Sequence, residues 1–169
     1  QFHAKMPQRV TLPGKAQEVN LTGLRNLTTL TMRIYQVKAS AHDVSDIVLS
    51  NEKSLQKIKP LLTPLTQYTQ TRTFNGREPY EVFEDSMTLA ALPVGVYMQE
   101  FESTPKSRTT DRVFYYVSDL RLLMQALPDH QTRYVVVNAT TGQPVAKAKL
   151  RLTDTRHNTT TLTTDSQGE

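Results

Sequence analysis

Thr29-Leu30-Thr31-Met32-Arg33-Ile34-Tyr35-Gln36-Val37 is the stretch on which the fold class turns. Leu30, Met32 and Ile34 share one parity, and Thr29, Thr31 and Arg33 share the other. An alternation of period two and this length describes a strand with one apolar and one wet face. At Tyr35-Gln36-Val37 the parity blurs, which predicts a bulge or a strand end. The cleanest alternation lies far downstream, where Ala146, Ala148, Leu150 and Leu152 interleave with Lys147, Lys149, Arg151 and Thr153.

Working outward, Val10 and Leu12 precede the turn pair Pro13-Gly14, and Val19 and Leu21 alternate with Glu18, Asn20 and Thr22. Strand-like sequence returns over Leu65–Phe74, and Asn75-Gly76 reads as a tight turn. Tyr80, Val82 and Phe83 come next, then Met87 and Leu89, the turn Leu92-Pro93-Val94-Gly95, and a strand from Val96 to Phe101. The stretch 43–59 breaks the pattern. Val44, Ile47, Val48, Leu55 and Ile58 fall near helical spacing, Asp43 can cap the start, and Pro60 ends it. Such a segment, a one-sided helix or two short helical turns, is expected to cover one end of a sheet. From Ser103 to Arg112 the chain is polar and basic, and it reads as a linker. A second unit opens with Val113–Val117, and Asp119–Leu127 reads as a short helix or an irregular crossing. Tyr134–Val137 is a continuous apolar strand, Thr141-Gly142-Gln143-Pro144 is a turn, and Leu162 sits in a Thr-rich strand before a turn at Asp165–Gly168.

The expected fold is therefore all-β: tandem antiparallel β-sandwiches of immunoglobulin-like architecture with a short helical insertion near 43–59. The first sandwich is expected over 1–104 and the start of a second over 110–169. The second shows about four strands where roughly seven close a sandwich, so it reads as cut off. The opening at Gln1, with no signal peptide, reads as a start already removed.

Composition agrees. With 37% hydrophobic residues, 7% aromatics and no Trp, the core is thin, as in small sandwiches. The abundant Thr favours pleated, half-buried surfaces. The net charge of +4 is scattered, and the densest basic run, Lys147, Lys149 and Arg151, is one strand face without the aromatic interleaving that nucleic acid calls for. The absence of Cys removes disulfides, thiolate metal sites and thiol nucleophiles together. No apolar run approaches the ~18 residues of a membrane span.

His3, His42, His130 and His157 show no metal-ligand spacing and no HExxH pattern, so they read as loop histidines. Asp129-His130 with Asp119 can be drawn as a base and its orienter, but no Ser or Cys in a nucleophile-elbow context accompanies them. Glu78, Glu81, Glu84 and Asp85 form an acidic group that could be drawn as a glycosidase pair, and they read as a solvated strand face. Asn20, Asn26, Asn138 and Asn158 match the N-glycosylation pattern, which a Thr-rich chain produces by chance. No catalytic, cofactor-binding or metal-ligating residue is assigned, and the chain is read as non-enzymatic.

Three places resemble the N-terminal region of bacterial, Bacteroidetes-type alpha-2-macroglobulin family proteins. They are Leu27–Val37 (LTTLTMRIYQV), Leu92–Tyr97 (LPVGVY), and Val117-Ser118-Asp119-Leu120 followed by Tyr134–Ala148 (YVVVNATTGQPVAKA) with Thr164-Asp165…Gly168. The resemblance implies macroglobulin-like sandwich domains in a large envelope or secreted protein that traps proteases. In many members a Cys-Gly-Glu-Gln thioester captures the attacker; with no Cys, none lies in this chain. It also implies neighbouring domains of the same chain as partners, proteases met through the full-length protein, and a periplasmic, lipid-anchored or secreted location. The alternatives are a surface adhesion module and an accessory domain of an envelope enzyme.

Overall fold

The computed structural model describes residues 2–5, 9–41, 43–105, 111–156 and 158–169. The chain divides into two compact units, Gln1–Ser118 and Asp119–Glu169. Strands take up 49% of the chain and helix 8%, so the all-β, sandwich-like expectation holds.

In chain order the first unit contains β1 (His3–Lys5), β2 (Val10–Thr11), β3 (Gln17–Leu24), β4 (Thr29–Val37), α1 (Glu52–Ile58), β5 (Leu62–Pro64), β6 (Gln70–Thr73), β7 (Phe83–Leu89), β8 (Gly95–Thr104) and β9 (Asp111–Val117). Among the described residues, one sheet has the order β1-β3-β7. The other runs β2-β9-β8-β4-β5, with β6 also on β4. Leu30, Met32 and Ile34 of β4 pack with Val19 and Leu21 of β3, Met87 and Leu89 of β7, and Tyr97, Phe101 and Tyr115 of β8 and β9. The apolar parity of each strand thus meets its counterpart across a sandwich core. Gln99, fully buried in that core, donates from Nε2 to Met32 Sδ at 2.9 Å.

Of the two readings of the parity change at Tyr35-Gln36-Val37, the strand end holds, since β4 stops at Val37, and the bulge does not. The β4–β8 register runs unbroken from Thr29↔Thr104 to Val37↔Val96. The outer face of this sheet turns apolar because it is covered. Val37, Met98 and Phe114 pack against Val44, Leu49, Leu55 and Ile58 in a second core. The helical segment therefore covers a face of the sheet rather than its end. It is also shorter than the expected 43–59: only Glu52–Ile58 is α-helix, followed by a 3-10 turn at Lys59–Leu61. Asn51, not Asp43, is the N-cap; its Oδ1 accepts from Lys53 N–H at 2.9 Å. Asp43 instead closes a local turn by accepting from Ser40 N–H and Oγ.

Three further expectations change. The expected strand at Leu65–Phe74 is a 3-10 turn at Thr66–Tyr68 followed by the short strand β6, with β5 lying just before it. Asn75-Gly76 does not close a tight hairpin, because β6 pairs with β4 while β7 pairs with β3, so the connection crosses from one sheet to the other. Val113–Val117 belongs to the first unit: β9 pairs antiparallel with β8 from Gly95↔Val117 to Phe101↔Asp111. The first unit thus runs to Ser118 rather than 104. The polar, basic stretch read as an inter-unit linker joins two neighbouring strands of one sheet; its residues 106–110 lie outside the described residues.

The second unit contains β10 (Leu120–Ala126), β11 (Thr132–Asn138), β12 (Lys149–Thr153) and β13 (Thr159–Thr163). β10 pairs with β11, and β12 with β13. Residues read as a short helix or crossing are thus a strand: pairing with the β-branched run Val135–Val137 overrides the helix propensity of Leu, Arg, Met and Gln. The alternation from Ala146 is also interrupted. Lys147 adopts φ 59, and the chain turns there. Before the turn, Val145 N–H donates to Val136 O; after it, Ala148 N–H donates to Thr164 Oγ1 at 2.9 Å, which donates in turn to Val145 O at 2.6 Å. The segment passes in this way from β11 to β13 about the buried Thr164.

Candidate functional site

The outer face of the larger sheet divides into two halves. One is the covered apolar half, and the other is a charged ladder across β4, β8 and β9. Glu100 lies opposite both Arg33 and Arg112 in register. Its Oε1 accepts from Arg112 Nε at 2.7 Å and its Oε2 from Tyr35 Oη at 3.1 Å. Arg33 pairs with Glu102, and that hydrogen bond raises its pKa. Burial pushes the Tyr35 phenol up, and the Glu100 charge adds to it. Every group in this ladder has a partner, and its chemistry is that of cross-strand ion pairing.

Of the residues weighed in the sequence, His3 lies exposed in β1, and His130 lies exposed at the tip of the β10–β11 hairpin. His42 and His157 lie outside the described residues. Asp129 and His130, both at positive φ, form that tip. Asp119 sits at the opposite end of the hairpin, where its carboxylate receives Asn138 Nδ2 at 3.4 Å. Seven residues of β10 separate them, roughly 20 Å at strand rise, so no base–orienter pair assembles. The acidic group is dispersed too. Glu81 takes Arg77 at 2.7 Å and the Glu78 N–H at 3.2 Å, Asp85 faces Arg72 at 3.8 Å, and Glu84 is exposed. Among the described residues, no three His, Asp or Glu side chains stand close enough to hold a metal ion. Among the described residues, no helix is long and apolar enough to cross a membrane.

Sequence reasoning missed two features. The first is Tyr80, 73% exposed and held at φ 70 by Asn26 Oδ1, which accepts its N–H at 2.8 Å. It adjoins a groove of about 440 Å³ lined by Leu27, Phe74, Arg77 and Phe83, with the Arg77 guanidinium 4.5 Å over the Phe83 ring. No signal short of the structure marks a Tyr as left-handed. The second is the exposed apolar run of β10, with Leu122 at 44%, Leu123 at 47% and Met124 at 70%. Two grooves of the second unit, about 500 and 330 Å³, have Leu150 in both linings.

The family-like motifs take up positions that hold the backbone. Leu92 is buried, and Tyr97 Oη donates to Pro93 O at 2.8 Å. A Cβ on Gly95 would lie 3.2 Å from the Tyr97 hydroxyl, so the glycine makes room for the ring to fold back. Asn138 Oδ1 accepts from the Thr140 and Thr141 N–H groups, and Asp165 Oδ1 from those of Gln167 and Glu169. No family model matches the chain, and no curated protein matches it.

Proposed function

We propose that this chain is a non-catalytic structural module of a large alpha-2-macroglobulin-like protease-trapping protein of a bacterial envelope or secretome. The carrying observation is what LPVGVY and the TGQPV and TD…G segments do: their polar groups close turns and pin strands. A module whose turn motifs serve the backbone in this way suits a scaffold that holds neighbouring domains in register. The test uses the longest natural polypeptide that contains this sequence, incubated with trypsin. A trap leaves trypsin active on a small chromogenic peptide while blocking digestion of casein. Unimpeded casein digestion by protein that trypsin has demonstrably cleaved would sink the reading.

A second reading, a surface binding module, is favoured by one observation: Tyr80 is exposed and backbone-strained at a loop tip beside an aromatic-lined groove. Tyr80→Ser would then abolish retention on the bacterial surface polymer while leaving the trypsin assay unchanged.

A further inference from the structure

We propose that Asn75 is a site of spontaneous covalent modification, deamidated through attack by the Gly76 backbone nitrogen to give mainly isoaspartate. The fold opens a dipeptide that reads in sequence as a closed turn. A two-residue type I′ hairpin needs φ > 0 at both central residues, and the flanking ladder then clamps their peptide planes. Gly76 has φ 70, whereas Asn75 stays out of the left-handed region. β6 ends at Thr73 and pairs with β4; β7 begins at Phe83 and pairs with β3. No ladder therefore spans Asn75-Gly76. The Phe74 N–H is anchored on Thr28 O at 2.9 Å, and the Glu78 N–H on Glu81 Oε2 at 3.2 Å. Between these anchors, neither the Gly76 N–H nor the Asn75 side chain has a hydrogen-bond partner among the described residues. Both residues are exposed, and a Cβ built on Gly76 would meet nothing within 4 Å. The other asparagines lack this combination. Asn51, Asn138 and Asn158 precede Glu, Ala and Thr and are tied by side-chain hydrogen bonds to Lys53, Thr140 and Asp154. Asn20 and Asn26 precede Leu, whose side chain crowds the attacking nitrogen as glycine does not.

The step needs only water. The Gly76 amide gives up its proton, its nitrogen bonds to Asn75 Cγ, and Nδ2 leaves with a proton as ammonia. The closing rotation swings the Asn75–Gly76 peptide plane, which breaks no hydrogen bond of this loop. Water then opens the cyclic succinimide. Addition at Cγ leaves aspartate. Addition at the backbone carbonyl carbon leaves isoaspartate, with the chain running through Cβ and Cγ and one carbon longer. Either product turns a neutral amide into a carboxylate and lowers the formal net charge from +4 to +3. The new charge arises in the lining of the groove beside Tyr80, two residues from Arg77. The groove therefore changes its charge as the chain ages, a covalent change that is independent of the trapping function.

The test ages the whole folded chain in mildly alkaline buffer and follows it by brief tryptic digestion and mass spectrometry. Cleavage after Arg72 and Arg77 isolates the site in the peptide Thr73–Arg77. With time that peptide should gain about 1 Da, the exchange of NH2 for OH, and split into two chromatographic forms. The larger form should accept a methyl group from a protein isoaspartyl methyltransferase. Because no ladder holds the loop, the rate in the folded chain should lie within about tenfold of that of the synthetic peptide Thr73–Arg77 alone. Asn75→Gln closes only a larger, slower-forming ring and should abolish the gain; melting equal to wild type shows that its fold is kept. A wild-type peptide that gains no mass, a product that is aspartate alone, a folded-state rate below that tenfold range, or a gain that persists in Asn75→Gln would each overturn the proposal.

Discussion

A Cβ placed on Gly168 would sit 2.5 Å from the Val136 carbonyl oxygen, and the residue holds φ +78. Its own carbonyl accepts the Val136 N–H at 2.7 Å, so the turn cannot back away without losing that bond. Gly168→Ala is expected to destabilise the second unit by about 2–4 kcal/mol, read as faster amide exchange at Val136 and its neighbours with the first unit unchanged. This turn was legible in the sequence, because Asp165 and Gly168 carry their conformational preferences in their own side chains or lack of one. Lys147 was not legible. Lysine gives no local sign of a left-handed backbone, and its turn is imposed by Thr164, which is distant in sequence and bonds on both sides of it. The acidic group read as one solvated strand face is instead divided among separate partners, Glu81 with Arg77 and Asp85 with Arg72.

At the scale of elements, β4 shows what a strand's own pattern can and cannot tell. The inner face announced itself through Leu30, Met32 and Ile34. The outer face looked irregular because its covering comes from residues 44–58, and no local periodicity encodes that contact. Ile58, 1% exposed in the second core, is the test. Ile58→Ala should cost about 2–5 kcal/mol of unfolding free energy, measured by urea titration, whereas Lys57→Ala on the same helix should change little. β9 was misassigned for a related reason. Its apolar run marks a strand, but membership in a sheet is settled by register with β8, and a polar stretch between strands looks the same whether it joins neighbours or separates units. The open edge of β7 is guarded: Gln70 Nε2 and Arg72 Nη2 donate to the Thr88 and Ser86 carbonyls at 2.6 and 3.1 Å.

For the whole molecule, pH acts through the tyrosines. Burial pushes the Tyr115 phenol up to about 12, and it also raises Tyr35, Tyr97 and Tyr116 above the ordinary 10.0. The folded state therefore keeps these protons after the unfolded chain has released them. Stability is complete below about pH 10 and is lost as pH climbs toward about 12. Thermal melting followed from pH 9 to about 11.5 should show the midpoint falling, with a shallower fall in Tyr115→Phe. β2 adds a property of another kind. It lies parallel to β9, with Val10 beside Tyr116 and Thr11 beside Val117. Arg9 O and Thr11 O accept the Tyr116 and Ser118 N–H groups at 2.8 and 2.9 Å. A pull on the leading end of β2 and the trailing end of β9 loads these bonds together, in shear, rather than peeling them one at a time. Under stretching, the clasp between the first unit's early and last strands would set how long that unit withstands force.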